Sequence, residues 1–239
     1  MLKVVSINIE RDLHHDLVTD FLLKERPDVV CMQEVFKDDL EIYSSVLSMD
    51  YVFAPMCFFR RKDTESVGLM GVAVFAKNIS SSKSFYIVGD GVDLPKHVHK
   101  ASLTQRNIIN LPLLCVSVEN FSISTFHFTW TPEGVSTDYQ KQDVINLIGV
   151  LDTQVKDFVL MGDSNCPRGL ESFDMFAQKY KDNIPAEYDS SIDENLHRVK
   201  GLKQMVDVCF STSDYDVKNV RLVSGVSDHK AVVAEIYKA

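Results

Sequence analysis

The chain has 239 residues, of which 45% are hydrophobic and 25% charged, which is the composition of an ordinary globular protein. No apolar run approaches the roughly 18 residues that a membrane-spanning helix needs. The formal net charge of −9 argues against strong non-specific binding to nucleic acid without excluding it. Because linker-like and low-complexity segments are absent from the sequence, we expect one domain over residues 1–239.

The cysteines indicate the redox setting. Their number, five, is odd, and no two have the spacing of a zinc site. Cys31, Cys115 and Cys209 lie in apolar, strand-like runs, where a thiol behaves as a small hydrophobe. The first residues also lack the long apolar segment of a signal peptide. We therefore expect reduced thiols and a cytoplasmic protein.

The first half of the chain begins with a strand–helix–strand pattern. Residues 2–7 form an apolar β-branched run, apolar residues between 13 and 22 recur at helical spacing, and residues 29–32 form a second apolar run. These patterns predict a strand, a helix and a strand. Further strands are predicted at residues 51–54, 71–76, 85–88, 103–109, 114–118 and 122–128.

The second half follows a similar order. We predict helices at residues 139–156 and 171–180, separated by a short buried strand at residues 158–161. The last predicted strands are residues 206–211, 217–223 and 231–237. Two sheets packed face to face, with helices on their outer surfaces, would bury this many short strands, so the order predicts a layered α/β fold.

Six of the predicted strands contain, or are directly flanked by, polar side chains that a plain core strand would lack. These side chains are Asn8 and Glu10, Glu34, His127, Asp163 and Asn165, Asp207, and Asp228 with His229. Taken singly, most have a simple structural explanation as a turn, an exposed residue or a core histidine. Asp207 is harder to explain, because a carboxylate within an apolar run needs a partner.

Taken together, these residue types fit metal-dependent phosphoester chemistry. Hard divalent cations take carboxylate oxygens and substrate phosphates as ligands. Hydrolysis further needs a positioned water and donor groups at the developing charge. A carboxylate commonly orients a histidine in such sites, and Asp207 is available to orient His229.

The ordered motifs SINIE, MQEV, GVAVFAK, STFHF, MGDSN, MVDVCFS and VSDHKAV resemble the endonuclease/exonuclease/phosphatase superfamily over residues 8–229. That superfamily includes DNase I-like nucleases, inositol-polyphosphate phosphatases, sphingomyelinases and deadenylases. The resemblance implies an α/β, four-layered sandwich of two mainly antiparallel β-sheets flanked by helices. It also implies Mg²⁺ or Mn²⁺ as the cofactor.

The resemblance implies roles for the metal-side residues. Glu34 is similar to the principal metal-ligand glutamate, and Asn8 to the asparagine near the metal and the phosphate. Asp228 is similar to the aspartate beside the metal. Glu10 falls where some nuclease members carry an aspartate.

The resemblance also implies catalytic roles. Asp163 and Asn165 are similar to the pair that orients the attacking water and contacts the phosphate. His229 is similar to the histidine that binds phosphate or acts as base, with Asp207 as its orienting carboxylate. His127 is similar to a histidine that contacts phosphate or protonates the leaving oxygen. These similarities do not assign the general base to one residue.

The chain departs from the family between its Asp163–Asn165 pair. The intervening residue is Ser164, where the family commonly has an aromatic or apolar side chain, and we expect local repacking there. The abasic-site endonuclease branch usually has tryptophan before its first asparagine and tyrosine in place of His127. Neither occurs here, which disfavours that branch.

The sequence leaves the substrate open. We expect a phosphodiesterase or nuclease-like hydrolase whose partner is a phosphoester, with nucleic acid or a nucleotide among the candidates. The alternatives are a phosphatase or a lipid phosphoesterase of the same superfamily, and an inactive binding relative, which the retained site residues disfavour. The oligomeric state also stays open.

Substrate-binding candidates lie outside the motifs. Arg168 follows the Asp163–Asn165 turn and is expected to face the substrate. Trp130 is either a stacking platform or a partly buried aromatic residue. Other basic groups are the segments at residues 60–62 and 96–100, and Arg106, which are either substrate contacts or solvated loops.

Overall fold

The fold was obtained as a computed structural model that describes residues 1–62, 66–97 and 101–239. The strands in these ranges are β1 (Leu2–Asn8), β2 (Val29–Phe36), β3 (Asp50–Arg60), β4 (Val67–Ala76), β5 (Ile79–Val88), β6 (Leu111–Val118), β7 (Phe121–His127), β8 (Val159–Asp163), β9 (Lys181–Asp182), β10 (Asp207–Ser211), β11 (Tyr215–Val223) and β12 (Ala231–Lys238). The α-helices are α1 (His15–Glu25), α2 (Leu40–Leu47), α3 (Asp138–Val150) and α4 (Glu171–Ala177). A π-helical turn, Leu151–Val155, extends α3.

The strands form two six-stranded sheets. The first has the order β11-β12-β1-β2-β4-β3 and the second β5-β6-β7-β8-β10-β9. In each sheet one neighbouring pair is parallel, β1–β2 in the first and β7–β8 in the second. Since parallel strands end at the same edge of a sheet, each pair delivers its carboxyl ends together. The paired residues Asn8 and Gln33 lie at one such edge, and His127 and Asp163 at the other.

The two sheets pack face to face and helices cover their outer surfaces. The apolar core between them takes buried residues from both sheets, including Val4 and Cys31 of the first and Met161 and Cys209 of the second. One outer core joins α1 and α2 to the first sheet, and the other joins α3 and α4 to the second. This arrangement confirms the predicted four-layered α/β sandwich.

A buried glutamine links the sheets directly below the predicted site. The Nε2 of Gln33 donates to Thr125 Oγ1 at 2.9 Å and to Ser6 Oγ at 3.3 Å. Thr125 belongs to the second sheet, whereas Ser6 and Gln33 belong to the first. The bond to Thr125 therefore fixes the two parallel pairs relative to each other, one residue before Glu34.

The main error in the predicted elements is the strand at residues 103–109. The structure has an irregular segment there, in which the amide of Ser102 donates to the carbonyl of Gln105. Its polar residues compete locally for backbone hydrogen bonds, which favours turns over a strand. Helix α2 was not predicted, because its eight residues are too few for a clear helical period.

Two further expectations concern membrane-spanning helices and the cysteine thiols. None of the helices in the described ranges is long and apolar enough to span a membrane. All five cysteines are buried free thiols. Burial raises the pKa of Cys31 and of Cys57 to about 12, so these thiols are poor nucleophiles at neutral pH.

Gly162 permits the close approach of β8 to β7 just before Asp163. A Cβ atom at Gly162 would lie 2.3 Å from the carbonyl oxygen of Phe126, with which Gly162 is in register. Contacts that short cannot be relieved by a side-chain rotation, because the obstacle is backbone. A side chain at this position would push apart the strands that carry His127 and Asp163.

We predict that Gly162→Ala lowers the free energy of unfolding by about 2 kcal/mol, as overpacking of a core does. Urea unfolding monitored by circular dichroism measures the change. Gly149→Ala is the matched control, because nothing lies within 4 Å of a Cβ there. In the helix α3 that substitution should stabilise the protein by about 0.5 kcal/mol. Equal stability of the two variants would contradict the close-approach argument.

Candidate active site

Asp163 lies at the centre of the group of predicted residues. It is the last residue of β8 and is 1% exposed. Its Oδ2 accepts a hydrogen bond from Asn8 Nδ2 at 3.1 Å. The Nε2 atoms of His127 and His229 lie 3.5 Å and 3.9 Å from the same oxygen. Residues from β1, β7, β8 and the turn before β12 therefore meet at one carboxylate.

The turn after β8 holds Asn165 in a fixed conformation. Asp163 Oδ1 accepts the Asn165 amide at 2.8 Å, and Asn165 has a φ of +49°, which asparagine tolerates better than most residues. Its side-chain Nδ2 donates to the carbonyl of Phe128 at 3.0 Å. This orientation leaves the Oδ1 of Asn165 as the side-chain end that can face the cleft.

Ser164 points inward and bonds to the backbone. It is fully buried, its hydroxyl donates to the Val206 carbonyl at 2.6 Å, and it accepts the Cys166 amide at 3.1 Å. The hydroxyl thus ties the turn to the residue before β10. At Ser164 a hydrogen-bonded hydroxyl thus occupies the inward position where the family commonly has an aromatic or apolar side chain.

Glu34 reaches the same rim through an irregularity in β2. The register between β2 and β4 shifts between Met32 and Val35, and Glu34 has a φ of +57°. Such bulges re-aim side chains next to functional sites. The Glu34 carboxylate lies 3.3 Å from Asn8 Nδ2 and 3.7 Å from His127 Nε2.

Two further carboxylates, Glu10 and Asp228, lie beside Glu34 together with a histidine. Ligand atoms of Glu10, His14 and Asp228 all lie within 4.8 Å of one another, and His14 Nε2 is 3.0 Å from Glu10 Oε2. Burial, and then the charge of Asp228, raise the pKa of Glu10. The pKa of Asp228 is also raised, by burial and by the charge of Glu34.

His229 and Asp207 form a buried pair. The Nδ1 of His229 lies 2.7 Å from Asp207 Oδ2, and both side chains are nearly inaccessible to solvent. Burial alone would lower the pKa of His229, but the charges of Asp207 and Asp163 outweigh it and hold that pKa well above its ordinary value. The imidazolium is therefore favoured, with Nδ1 on Asp207 and Nε2 toward Asp163.

His127 places one ring nitrogen between two carboxylates. Its Nε2 lies between Glu34 and Asp163, and its buried Nδ1 has no hydrogen-bond partner among the described residues. The Nε2 side is the one that can interact with a group in the cleft.

The cleft over these residues includes several that the sequence patterns did not single out. Lining residues outside the predicted set include Arg11, Phe59, Asn107, His197 and Arg198. Arg11 lies 3.7 Å from Glu34 and its guanidinium stacks over Phe59. Four of them come from loops, whose positions a strand pattern cannot predict, whereas Phe59 lies near the end of β3. For Arg11 the only signal was its place directly after Glu10.

Trp130 lines the cleft, which the predicted role of a stacking platform requires. Arg168 does not line the cleft. The Arg168 guanidinium donates to the carbonyls of Ile184 and Pro185 and to Asp182 Oδ2 at 2.7 Å. The expectation that Arg168 faces the substrate is therefore wrong. Its charge is used to hold the segment that follows β9.

The other predicted basic groups are also committed elsewhere or lie apart. Arg61 makes two bonds of 3.1 Å to Asp39, and Arg106 lies 2.6 Å from Asp143. The basic segment at residues 96–100 runs into residues 98–100, which lie outside the described residues. Among the described residues of that segment, His97 lines the cleft, and the two arginines that line it, Arg11 and Arg198, were not among the predicted basic groups.

The carboxylate group beside Glu34 fits a hard divalent cation. Glu10, Glu34 and Asp228 supply the oxygen ligands that such ions prefer. Burial, and then the charges of neighbouring carboxylates, raise the pKa values of Glu10 and Asp228, and a bound cation would offset both effects. A second group with metal-ligand spacing is Asp163, Asp207 and His229. That group is already satisfied internally, because Asp207 binds the Nδ1 of His229.

Comparison with known proteins places the chain among its relatives. A model of the endonuclease/exonuclease/phosphatase family matches residues 5–229. Among curated protein sequences none gives a significant match. The solved structure of an endonuclease/exonuclease/phosphatase from Bacteroides vulgatus is 16% identical, with a TM-score of 0.70 over 100% of this chain and 99% of that one.

Two other solved structures that are similar to this chain are of proteins with specific names. The human nocturnin catalytic domain with bound sulfate is 18% identical, with a TM-score of 0.68 over 100% of this chain and 94% of that one. A mannosyl-6-phosphatase from Bacteroides thetaiotaomicron is 16% identical, with a TM-score of 0.67 over 99% and 100%. At these identities the similarity shows the fold, whereas the family match covers nearly the whole chain. The chain therefore belongs to the endonuclease/exonuclease/phosphatase family.

Proposed function

We propose that this protein is a divalent-metal-dependent hydrolase of phosphodiesters that uses in-line attack of water. The observation that carries the proposal is the convergence on Asp163, where Asn8, His127 and His229 approach one buried carboxylate beside Glu34. Carboxylates and imidazoles from separate strands at one rim supply both an ion site and groups for proton transfer.

Glu34, Glu10 and Asp228 would hold the ion, with Asn8 next to it. We propose Mg²⁺ or Mn²⁺, since the ligand atoms of these residues are oxygens. When bound, such an ion polarises a phosphate oxygen and offsets the charge that develops there. His14 adds a nitrogen next to Glu10, which makes Mn²⁺ an acceptable alternative to Mg²⁺.

The remaining side chains would bind and orient the reacting groups. Asp163 and the Oδ1 of Asn165 accept hydrogen bonds from the attacking water. The charged His229 donates from Nε2 to a phosphate oxygen, and Asp207 keeps that imidazole oriented. His127 presents Nε2 on the same face and can protonate the leaving oxygen.

The walls of the cleft support a diester over a simple phosphate. One wall has Phe59 of β3, from one edge of the first sheet, and Ile109 before β6. The other has Leu202 and Gln204, before β10 in the opposite half of the second sheet. The site lies between them on the central strands, so a phosphate there can carry a substituent on each side.

The named relatives support phosphate chemistry in general. The nocturnin structure holds sulfate, a tetrahedral oxyanion of the same shape as phosphate, and the mannosyl-6-phosphatase is by its name a phosphatase. Neither identifies the substrate of this protein, which the cleft walls and the charges must determine.

We predict that the protein hydrolyses bis-p-nitrophenyl phosphate with Mg²⁺ or Mn²⁺ and loses this activity in EDTA. Glu34→Gln and Asp163→Asn should each lower kcat/KM by about a hundredfold or more, because each removes a charge that acts on the reacting phosphate. Release of p-nitrophenolate measures the rate.

Asp50→Asn is the control for these variants, since Asp50 is exposed at the start of β3, and it should match the wild type. Wild-type rates in both Glu34→Gln and Asp163→Asn would sink the assignment of the site. Activity that persists undiminished in EDTA would sink the metal dependence.

We predict that the ion binds at the group that contains Glu10 and Asp228 and not at the group of Asp163, Asp207 and His229. Asp228→Asn should weaken Mn²⁺ binding about tenfold or more, because it removes a charged ligand. Asp207→Asn should keep the affinity within about twofold and still lower kcat by about a hundredfold, because the imidazole loses its orienting charge. Isothermal titration with Mn²⁺ measures the affinity. A large loss of affinity in Asp207→Asn would instead assign the ion to Asp163, Asp207 and His229.

A further inference from the structure

Arg198 is an uncommitted cation at the mouth of the cleft. It is exposed and lines the same cleft as Asp163 and Asp228. Within residues 1–62, 66–97 and 101–239 it makes no hydrogen bond, ion pair or ring contact. An arginine usually binds planar or tetrahedral oxyanions through its fork of donors.

The other arginine of the cleft is already engaged. Arg11 contacts both Glu10 and Glu34 and stacks over Phe59. Its charge is thus largely offset by the carboxylates that would face the ion. Of the two arginines that line the cleft, Arg198 is the one whose charge none of the described residues offsets.

The segment that carries Arg198 is tied to the turn before β12, which carries Asp228 and His229. Asp193 Oδ1 accepts the amides of Asn195 and Leu196, and its Oδ2 accepts the amide of Gly225 at 2.7 Å. The backbone amide of Asp193 donates to the carbonyl of Asp228 at 2.8 Å. Although burial opposes it, the amide bonds hold the pKa of Asp193 below its usual value, so the anchor is charged at neutral pH.

The residue before Arg198 adds a second constraint. The amide of Val199 donates to His197 Nδ1 at 3.1 Å, and the amide of His197 donates to the Asp193 carbonyl. The backbone at Arg198 is therefore held at a set place relative to Asp228 and His229. Only its side chain remains to order when a ligand binds, which limits the entropic cost of binding.

We propose that the substrate carries a second phosphate group beside the one that is hydrolysed, and that Arg198 binds it. This inference rests on the proposed phosphodiester hydrolysis, since it names the chemistry of the substrate of that site. The four carboxylates of the cleft repel an anion, and the ion would offset them only near the scissile phosphate. A second anionic group farther out needs its own cation, and among the described residues Arg198 offers an arginine charge that no side chain offsets.

The second phosphate has two sources with the same chemistry. It is either the neighbouring phosphate of a nucleic-acid strand or a phosphate monoester carried by a small phosphodiester. The same contact with Arg198 serves both, so the test carries one arm for each.

The test uses two matched substrates, thymidine 5′-(p-nitrophenyl phosphate) with and without a 3′-phosphate. We expect the wild type to have the lower KM for the phosphorylated substrate. In Arg198→Ala, KM should rise about tenfold more for that substrate than for the other, because one charge-assisted contact is lost, with kcat changing alike on both. Arg198→Lys should recover part of the difference. An equal effect of Arg198→Ala on both substrates would overturn the inference.

Arg26→Ala is the matched control. Arg26 is also exposed and its side chain makes no hydrogen bond, ion pair or ring contact within the described part of the chain, but it precedes β2, at the end opposite Glu34. It should match the wild type on both substrates. A shift equal to that of Arg198→Ala would show a general effect of net charge and would overturn the inference.

Direct binding separates this inference from the proposed function. Isothermal titration with thymidine 3′,5′-bisphosphate should give an affinity that Arg198→Ala weakens about tenfold. If the wild type hydrolyses neither substrate yet shows this dependence, the hydrolase proposal fails and the Arg198 site stands. If it hydrolyses both and the affinity does not depend on Arg198, the hydrolase proposal stands and the site fails.

Competition identifies the source of the phosphate. Tetrathymidylate without terminal phosphates and thymidine 3′,5′-bisphosphate are each added to the phosphorylated substrate. If tetrathymidylate inhibits the wild type and inhibits Arg198→Ala less strongly, the second phosphate belongs to nucleic acid. If only the bisphosphate inhibits in this Arg198-dependent way, the second phosphate belongs to a small molecule. Inhibition by both that is unchanged in Arg198→Ala would overturn the inference.

Discussion

The charged cleft depends on the two parallel strand pairs, β1–β2 and β7–β8, that run through the centres of the sheets. Each pair ends at the same rim, and the hydrogen bond from Gln33 to Thr125 holds one pair over the other. Because a parallel pair brings two carboxyl ends together, residues far apart in sequence meet there without a long loop. Gly162 permits the tight spacing of β7 and β8 on which the contact between His127 and Asp163 depends.

That arrangement brings like charges close together in a poorly solvated place, which is unfavourable unless they are compensated. The protein compensates them unevenly. Asp163 is surrounded by donors, Asn8 and two imidazoles. Burial and neighbouring carboxylates keep the pKa values of Glu10 and Asp228 raised, although His14 and Arg11 lie beside Glu10. The compensated side suits groups that orient water and phosphate. The side of Glu10 and Asp228, whose carboxylates keep raised pKa values, suits a cation. The chemical division of the site thus follows from where the donors are.

Much of this was predictable from the sequence, for a physical reason. Polar residues directly after buried strands, such as Asn8 and Asp163, must lie at a sheet edge, so their meeting follows from strand order. Glu34 was predicted as a site residue, but its bulge and left-handed backbone were not visible in an apolar run. Arg168 failed as a prediction because proximity in sequence to a turn does not determine which way a long side chain extends. Arg198 lies in a loop with no periodic pattern.

The anchoring of the loop at Asp193 has a consequence for how the sequence of that loop can change. Its amide and carboxylate bonds join the loop to Gly225 and Asp228 through backbone groups, and backbone groups are present whatever side chains the neighbours carry. The side chains of residues 194–202 can therefore change, in evolution or by design, while the bonds to Gly225 and Asp228 hold the backbone of the loop in place. Changes in what the cleft binds would then arise in one short stretch of the chain, separately from the carboxylates and imidazoles gathered around Asp163.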